Sequence, residues 1–440
     1  MSKQKSILHL FILIGLIVIG RFAVIAWFYG AIFFYLNQSF DKKAFSYSIA
    51  ALFLYLIPLE LLSRILGADP FVPYEVGKYV TFAFLLYCLF RLRIRRGKWL
   101  LPILLLLIPG LLMVNPQESV KEIVFNLMGI VNMCLGAMVF SNMYISTPEL
   151  KQLINNSIYS LLVLLFYLMI QSPDLSCVNF DLGAVSDVTG DFGSNQASTV
   201  LGYGIVLFAF LFLRRWKFSK LYLVDNGFLL LLALWSLLSF SRGGMIGAIL
   251  AVLGLIAVNI IRKRKDSGRK LKPASLVIVV IGLVGSFYLG NLITGGALLQ
   301  RYQGETASTL RGTRVKGLTI LTTGRSEIFF RDMSIFSENP FLGVGVGNAK
   351  VIGEEEYDNP KVPYIEISRL MAEHGILGIA VIVMIFIYPF MLLSREKDML
   401  KRNWMMAFLI VSLFSTMHSA TRTMLSPILF GLAFINMKDS

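Results

Sequence analysis

A few polar stretches interrupt an otherwise apolar chain, and they are rich in arginine. Arg242 sits in Ser239-Phe-Ser-Arg-Gly-Gly244, between two apolar runs. Arg301, Arg311, Arg314, Arg325 and Arg331 share one long polar segment. Arg369 stands where the next apolar run opens, and Arg422 in the break before the last one. A guanidinium is a rigid fork of donors that matches phosphate in a bidentate way. Several converging on one face would suit a diphosphate. The stretch Tyr364-Ile-Glu-Ile-Ser-Arg-Leu-Met-Ala-Glu-His374 places Glu366, Arg369 and Glu373 at spacings of three and four, hence on one helix face. An arginine beside a carboxylate can bind phosphate while the carboxylate acts as a base. His374 adjoins them, can titrate near neutrality, and points about 100° away from Glu373.

Simpler readings stand beside these. Arg331 follows Glu327 by four in a helix-like stretch that stops at Asn339-Pro340, so the two can form an ordinary i,i+4 pair. Arg369 and Glu373 can pair in the same way, and His374 can simply pack. Arg242 can snorkel to an interface, its two glycines only making the turn. Arg311 and Arg314 read as solvated loop charges. Arg325 differs, because it falls in the first turn of its helix, where the dipole favours negative charge; it asks for an external anion. Gly343-Val-Gly-Val-Gly347 has the look of a phosphate cradle, but no P-loop lysine follows, and it reads as a turn after Pro340.

Membrane helices must position these groups. Of 440 residues 56% are hydrophobic and 15% charged, too little polar surface for a soluble domain of this length. The apolar runs are long enough to cross a hydrocarbon core of roughly 30 Å as helices, and no stretch alternates as a barrel strand does. The net charge of +15 comes from 41 Lys+Arg against 26 Asp+Glu. These cations cluster at helix ends, as the positive-inside rule requires, which argues against nucleic acid as a partner. Cys88 and Cys134 lie in apolar runs and no CxxC occurs, while His9, His374 and His418 are far apart, so neither a disulfide framework nor a metal site is expected. Lys3 and Lys5 precede an apolar stretch without a small-residue cleavage site, which reads as a retained anchor.

The basic clusters at 91–98, 214–220, 262–272 and 395–402 fix one side. Apolar spans near 99–114, 122–141, 153–171 and 197–213 lead from the first to the second; 222–239 and 245–261 lead to the third; 274–295 and 369–393 lead to the fourth. A hairpin of 404–418 and 423–437 returns to Lys438. Every cluster then falls on the cytoplasmic side. Upstream, 45–66 and 71–90 are clear spans, and 6–37 needs two crossings with a tight turn at Gly20-Arg21. The expected fold is an all-α polytopic bundle of about 12–14 helices, one domain over 1–440, with a long external segment at 296–368. Segments 172–196, 241–244 and 418–423 also fall outside. A transporter would place its polar groups near the midplane, in repeated halves. No repeat is visible, and the candidate groups lie at the outer face.

Three stretches resemble the O-antigen polymerase and O-antigen ligase superfamily (the Wzy/WaaL type). Ser239–Gly244 is similar to its "SRgg". Gly324-Arg-Ser-Glu-Ile-Phe-Phe330 with Glu338-Asn-Pro-Phe-Leu-Gly-Val-Gly-Val-Gly347 is similar to "GR…W…i…nPl.GvG.G". Leu370-Met-Ala-Glu-His-Gly-Ile-Leu-Gly378 is similar to "l.aelGilG", and Gly193-Ser-Asn195-Gln196 is a weaker echo of "npN.la". The resemblance implies metal-independent, cofactor-free glycosyl transfer at the outer face of the cytoplasmic (inner) membrane. The donor would be an oligosaccharide on undecaprenyl diphosphate. The acceptor would be another lipid-linked repeat or lipid A–core, and the product O-antigen, capsule or exopolysaccharide. Membrane lipid, a chain-length regulator and a flippase of the same pathway are the implied partners. Carried over, Arg242 and Arg325 would hold diphosphate and neutralise the departing charge, with Arg301 assisting. Asn195, Tyr364, Glu366, Arg369 and Arg422 join as substrate-contacting candidates. Ligases carry a histidine where this chain has Tyr364. Its absence favours a polymerase and leaves Glu373, Glu366 and His374 as candidate acceptor bases.

Overall fold

The computed structural model describes residues 3–114, 120–263, 274–313, 322, 324–355, 365–419 and 421–438. Arg314 and Tyr364 lie outside the described residues. The architecture is an all-α polytopic bundle. Among the described residues, seven helices are long and apolar enough to cross a membrane: Arg21–Ser39, Phe45–Ile65, Ile123–Phe140, Thr147–Gln171, Ser194–Arg214, Arg242–Ile260 and Glu366–Arg395. Four shorter apolar helices, Gln4–Ile19, Lys98–Leu112, Tyr222–Leu238 and Val277–Ile293, coincide with other expected spans. Pro58 inside Phe45–Ile65 frees the Leu54 carbonyl, and the Ser157 hydroxyl of a neighbouring helix donates to it at 3.1 Å, which is how the proline is tolerated.

The helix ends follow local chemistry. Ser146 and Glu149 form a reciprocal capping box at the start of Thr147–Gln171. Asp398 accepts from the Leu400 N–H at 2.9 Å, opening Met399–His418. Gly20, at φ 53°, separates Lys3–Ile19 from Arg21–Ser39, so the long N-terminal run is two helices joined at a single residue. The last expected span, 423–437, is helical only over Leu425–Leu432. Beyond it, Asn436 bonds the Ser141 and Met143 carbonyls as the chain turns into a three-residue strand.

The chain divides into two compact units that interleave in sequence. The first comprises Met1–Val76, Tyr144–Arg314 and Met437–Ser440; the second comprises Gly77–Met143 and Val315–Asn436. In the first, Phe45–Ile65 and Ser194–Arg214 are the central, almost wholly buried helices. In the second, Val120–Phe140 packs on Leu425–Leu432 through Gly136 and Gly431, where a Cβ on Gly431 would stand 2.8 Å from the Gly136 carbonyl carbon.

Contacts within each unit join segments that the threading puts on one side. Lys5 Nζ donates to Asn156 Oδ1 at 2.7 Å, and Arg96 to Asn436 Oδ1 at 2.9 Å. On the opposite side Arg64 donates to Gln196 Oε1 at 2.7 Å. The long segment expected at 296–368 is not structureless. It contains the helices Ala297–Tyr302, Ala307–Leu310, Arg325–Glu338 and Asn348–Glu355.

Candidate functional site

In the first unit, Asn195 Oδ1 accepts from the Ser241 hydroxyl at 2.7 Å, joining the two short motifs at the heads of Ser194–Arg214 and Arg242–Lys263. Ser198 Oγ donates to the Ser241 carbonyl at 3.0 Å. Gly244 lies so close to Ser198 that any side chain there would enter Ser198's backbone. Its glycine therefore sets the helix approach, beyond merely making a turn. We expect Gly244→Ala to destabilise the protein by about 1–3 kcal/mol through overpacking. Gly227→Ala, where a Cβ meets nothing within 4 Å, should cost nothing. Thermal unfolding of the two purified variants checks this.

Half-buried Arg242 donates to the Arg301 carbonyl at 3.4 Å, and buried Arg301 donates through Nε to the Phe240 carbonyl at 3.3 Å. Phe240 is itself held at φ 54°, a left-handed conformation that costs a non-glycine residue roughly 1–2 kcal/mol. The strain aims its carbonyl at Arg301. Tyr302 follows with a buried hydroxyl that has no hydrogen-bond partner among the described residues. Burial pushes its phenol up, against the pull of Arg242 and Arg301, so it stays protonated.

In the second unit, Arg325 is the first residue of Arg325–Glu338 and is half-buried. It donates to the His418 carbonyl at 3.1 Å and the Thr322 carbonyl at 3.4 Å. These bonds tie the Gly-Arg motif to the tip that carries Arg422, itself partly exposed.

The remaining motifs dock on one another. Helix Glu366–Ile382 is broken at Gly375, φ 59° and ψ −139°. Around the break the backbone partners are exchanged. The Ile376 N–H turns to the Pro340 carbonyl at 2.8 Å, while the Ala372 and Glu373 carbonyls accept from Val344 and Gly345 at 3.0 Å each. Gly343, Gly345 and Gly347 all have positive φ, and a Cβ on Gly375 would stand 2.6 Å from the Pro340 and Phe341 carbonyl oxygens. The glycine-rich stretch is a clamp on a broken helix, and its N–H groups are spent on protein carbonyls and on the Glu373 carboxylate. Irregular buried backbone requires this kind of internal satisfaction.

Glu366, Arg369 and Glu373 do share a face, and all three are buried. Arg369 is ion-paired with Glu366, donates to Glu373 Oε2 at 3.1 Å, and reaches the Asn126 carbonyl at 3.0 Å. The other Glu373 oxygen accepts from the Gly347 N–H at 3.1 Å. His374 packs its ring over Gly110, and neither ring nitrogen has a hydrogen-bond partner among the described residues. Arg331, buried, donates to Asp332 Oδ1 through Nε at 3.1 Å and Nη2 at 2.8 Å. Asp332 Oδ2 accepts from Ser368 at 2.6 Å. Burial lifts the Asp332 carboxyl above the ordinary carboxylate range, against the pull of Ser368 and Arg331.

Residues 227–383 match the O-antigen ligase family. The match supports the O-antigen polymerase and ligase superfamily and an enzyme of ligase or polymerase type in the membrane; it does not separate the two activities. The matched O-antigen ligase segment holds Arg242, Arg301, Arg325, Arg369 and Glu373. No curated protein matches the chain.

Sequence reasoning missed Asp332, Ser368 and Lys78. Asp332 and Ser368 lie on the buried faces of their helices, a pattern legible for Ser326, Ile328, Asp332 and Ile335. Lys78, buried, donates to the Phe125 carbonyl at 2.8 Å beside the Asn126 carbonyl that Arg369 uses. Its one sequence signal is a lone lysine inside an apolar run, which is costly in a membrane and therefore informative.

Proposed function

We propose that the chain is a polysaccharide polymerase joining undecaprenyl-diphosphate-linked repeat units at the outer face of the cytoplasmic membrane. The bond between the donor's anomeric carbon and the diphosphate oxygen breaks. An acceptor sugar hydroxyl forms the new glycosidic bond and gives its proton to a base, and the lipid diphosphate leaves with the electron pair. The observation that carries the reading is Arg325. A guanidinium fixed by carbonyl oxygens at the first residue of a helix adds its charge to the positive end of the dipole. That combination favours an anion and gains strength as charge develops on a leaving diphosphate. The O-antigen ligase match supplies the lipid-linked glycan class. Tyr364 in place of a histidine favours chain growth over ligation.

In the first unit, Arg242, oriented by Arg301, is proposed as an anion-binding group in its own right. Glu366 and Glu373 are committed to Arg369, which suits the holding of the break at Gly375. His374, whose ring nitrogens bond nothing among the described residues, is the proposed proton acceptor. His374→Gln should then slow chain growth about 100-fold or more at matched folded concentration, the usual worth of a general base. Wild-type growth in that variant would remove His374 from the mechanism.

Reconstitution tests the whole reading. Purified protein given single lipid-diphosphate-linked repeats should yield a ladder spaced by one repeat. Transfer only after lipid A–core is added would mean a ligase. Neither product from folded protein would remove glycosyl transfer.

A further inference from the structure

Apart from the candidate site arginines, the first unit carries an open apolar cavity of about 720 Å³ between Lys3–Ile19 and Arg21–Ser39. Its walls are made narrow and smooth by Gly15, Ala23, Ala26, Gly30 and Ala31. One end is polar and already ordered. His9 bonds the Tyr55 hydroxyl at 2.7 Å, Trp27 donates to the same oxygen at 3.1 Å, and Asn156 donates to Tyr35 and Tyr47 at 3.2 and 2.9 Å. Lys5, Gln152 and Asn156 line this end and also a second space of about 290 Å³, which adds Lys151 and Asn155. The two spaces are therefore one cleft with an apolar body and a cationic mouth. No Asp or Glu lines either part among the described residues. Asn155 Oδ1, buried in that mouth, has no hydrogen-bond partner among the described residues.

These features select a ligand chemistry. A tail-shaped apolar space calls for hydrocarbon, and two lysines call for an anion, since Glu149, whose charge reaches Tyr47, is engaged by the Ser146 N–H and hydroxyl. An orphaned buried acceptor calls for a hydroxyl or N–H donor beside that anion. A zwitterionic headgroup would bring its ammonium against the lysines. We propose that this cleft binds one anionic glycerophospholipid, its phosphate at Lys5 and Lys151, a headgroup hydroxyl at Asn155, and one acyl chain in the cavity. The threading puts Lys5 and Lys151 on the side of the basic clusters, so the lipid comes from the leaflet opposite the proposed glycosyl transfer. The site owes nothing to that proposal.

The test is native mass spectrometry of the full-length protein in detergent, titrated with dioleoyl phosphatidylglycerol or dioleoyl phosphatidylcholine. One phosphatidylglycerol should be retained, with phosphatidylcholine at least about tenfold weaker. Lys151→Gln and Lys5→Gln should each weaken phosphatidylglycerol roughly fivefold, the worth of one basic residue near an anionic lipid surface. Gly30→Leu, where a new Cβ meets nothing within 4 Å, should narrow the cavity on the acyl chain's path and weaken phosphatidylglycerol at least about tenfold without lowering the unfolding temperature. Equal binding of the two lipids, or lysine variants that bind like wild type, would overturn the headgroup assignment. Undiminished binding in Gly30→Leu would overturn the tail assignment, as would equal competition by glycerol 3-phosphate. Lys151 lies partly exposed at its helix start, so its variant remains informative even if the Lys5 variant fails to fold.

Discussion

Arg325→Ala should abolish polymer while leaving the protein folded and in the membrane. Removing one preorganised donor from a site of developing charge typically costs about 100- to 1,000-fold in rate. Here the loss also removes a full charge. Arg325 is half-buried, and its bonds include those to the His418 and Thr322 carbonyls. Arg325→Lys keeps the charge but loses the planar fork, so it should recover only a small part of the activity. The measurement is the ladder from purified protein at matched folded concentration. Full-length polymer from the alanine variant would end the assignment of diphosphate to Arg325.

The sequence showed this residue plainly, because a cation in a helix's first turn runs against the dipole and needs no partner to be noticed. Helix positions were legible for a similar reason, since each apolar run reports its own span. Parity asks for two crossings within 6–37, and the chain has two helices there, parted at Gly20. What the sequence hid were pairings across long separations. Gly343–Gly347 looked like a turn, and each glycine there does have positive φ. Nothing local says that its N–H groups are matched to carbonyls at Ala372 and Glu373, some 30 residues away. The spacing of Glu366, Arg369 and Glu373 gave their shared face, but not that all three are buried or that Asn126 supplies a further acceptor. Asp332 escaped notice because its partners are its own neighbour Arg331 and the distant Ser368. Within 296–368 the helix-like stretch ending at Asn339-Pro340 is legible, whereas Ala297–Tyr302, Ala307–Leu310 and Asn348–Glu355 are too short for their spacing to announce them. They are ordered by packing, as at Ile335, Ala349 and Ala372, which form one small core.

The second large effect is expected at Arg369. Its guanidinium compensates two buried carboxylates, Glu366 and Glu373, beside a break in which backbone partners are already exchanged. Removing one member of a buried ion pair costs about 3–5 kcal/mol, because the remaining charge stays buried. Arg369→Met should therefore lose most of the folded protein, measured as the fraction surviving detergent extraction and gel filtration. Replacing the carboxylates as well, Arg369→Met with Glu366→Gln and Glu373→Gln, removes the stranded charges while keeping an acceptor for the Gly347 N–H. That triple variant should fold again, since the penalty belongs to the uncompensated charges and not to the loss of a salt bridge. Its activity then distinguishes two roles. If the trio only holds the broken helix in place, the refolded triple variant makes polymer, slowed about tenfold by a looser clamp on Gly375. If Arg369 itself grips diphosphate, or Glu373 takes the acceptor proton, the protein folds and makes none. The buried geometry, with Arg369 and both Glu373 oxygens engaged within the protein, leads us to expect polymer.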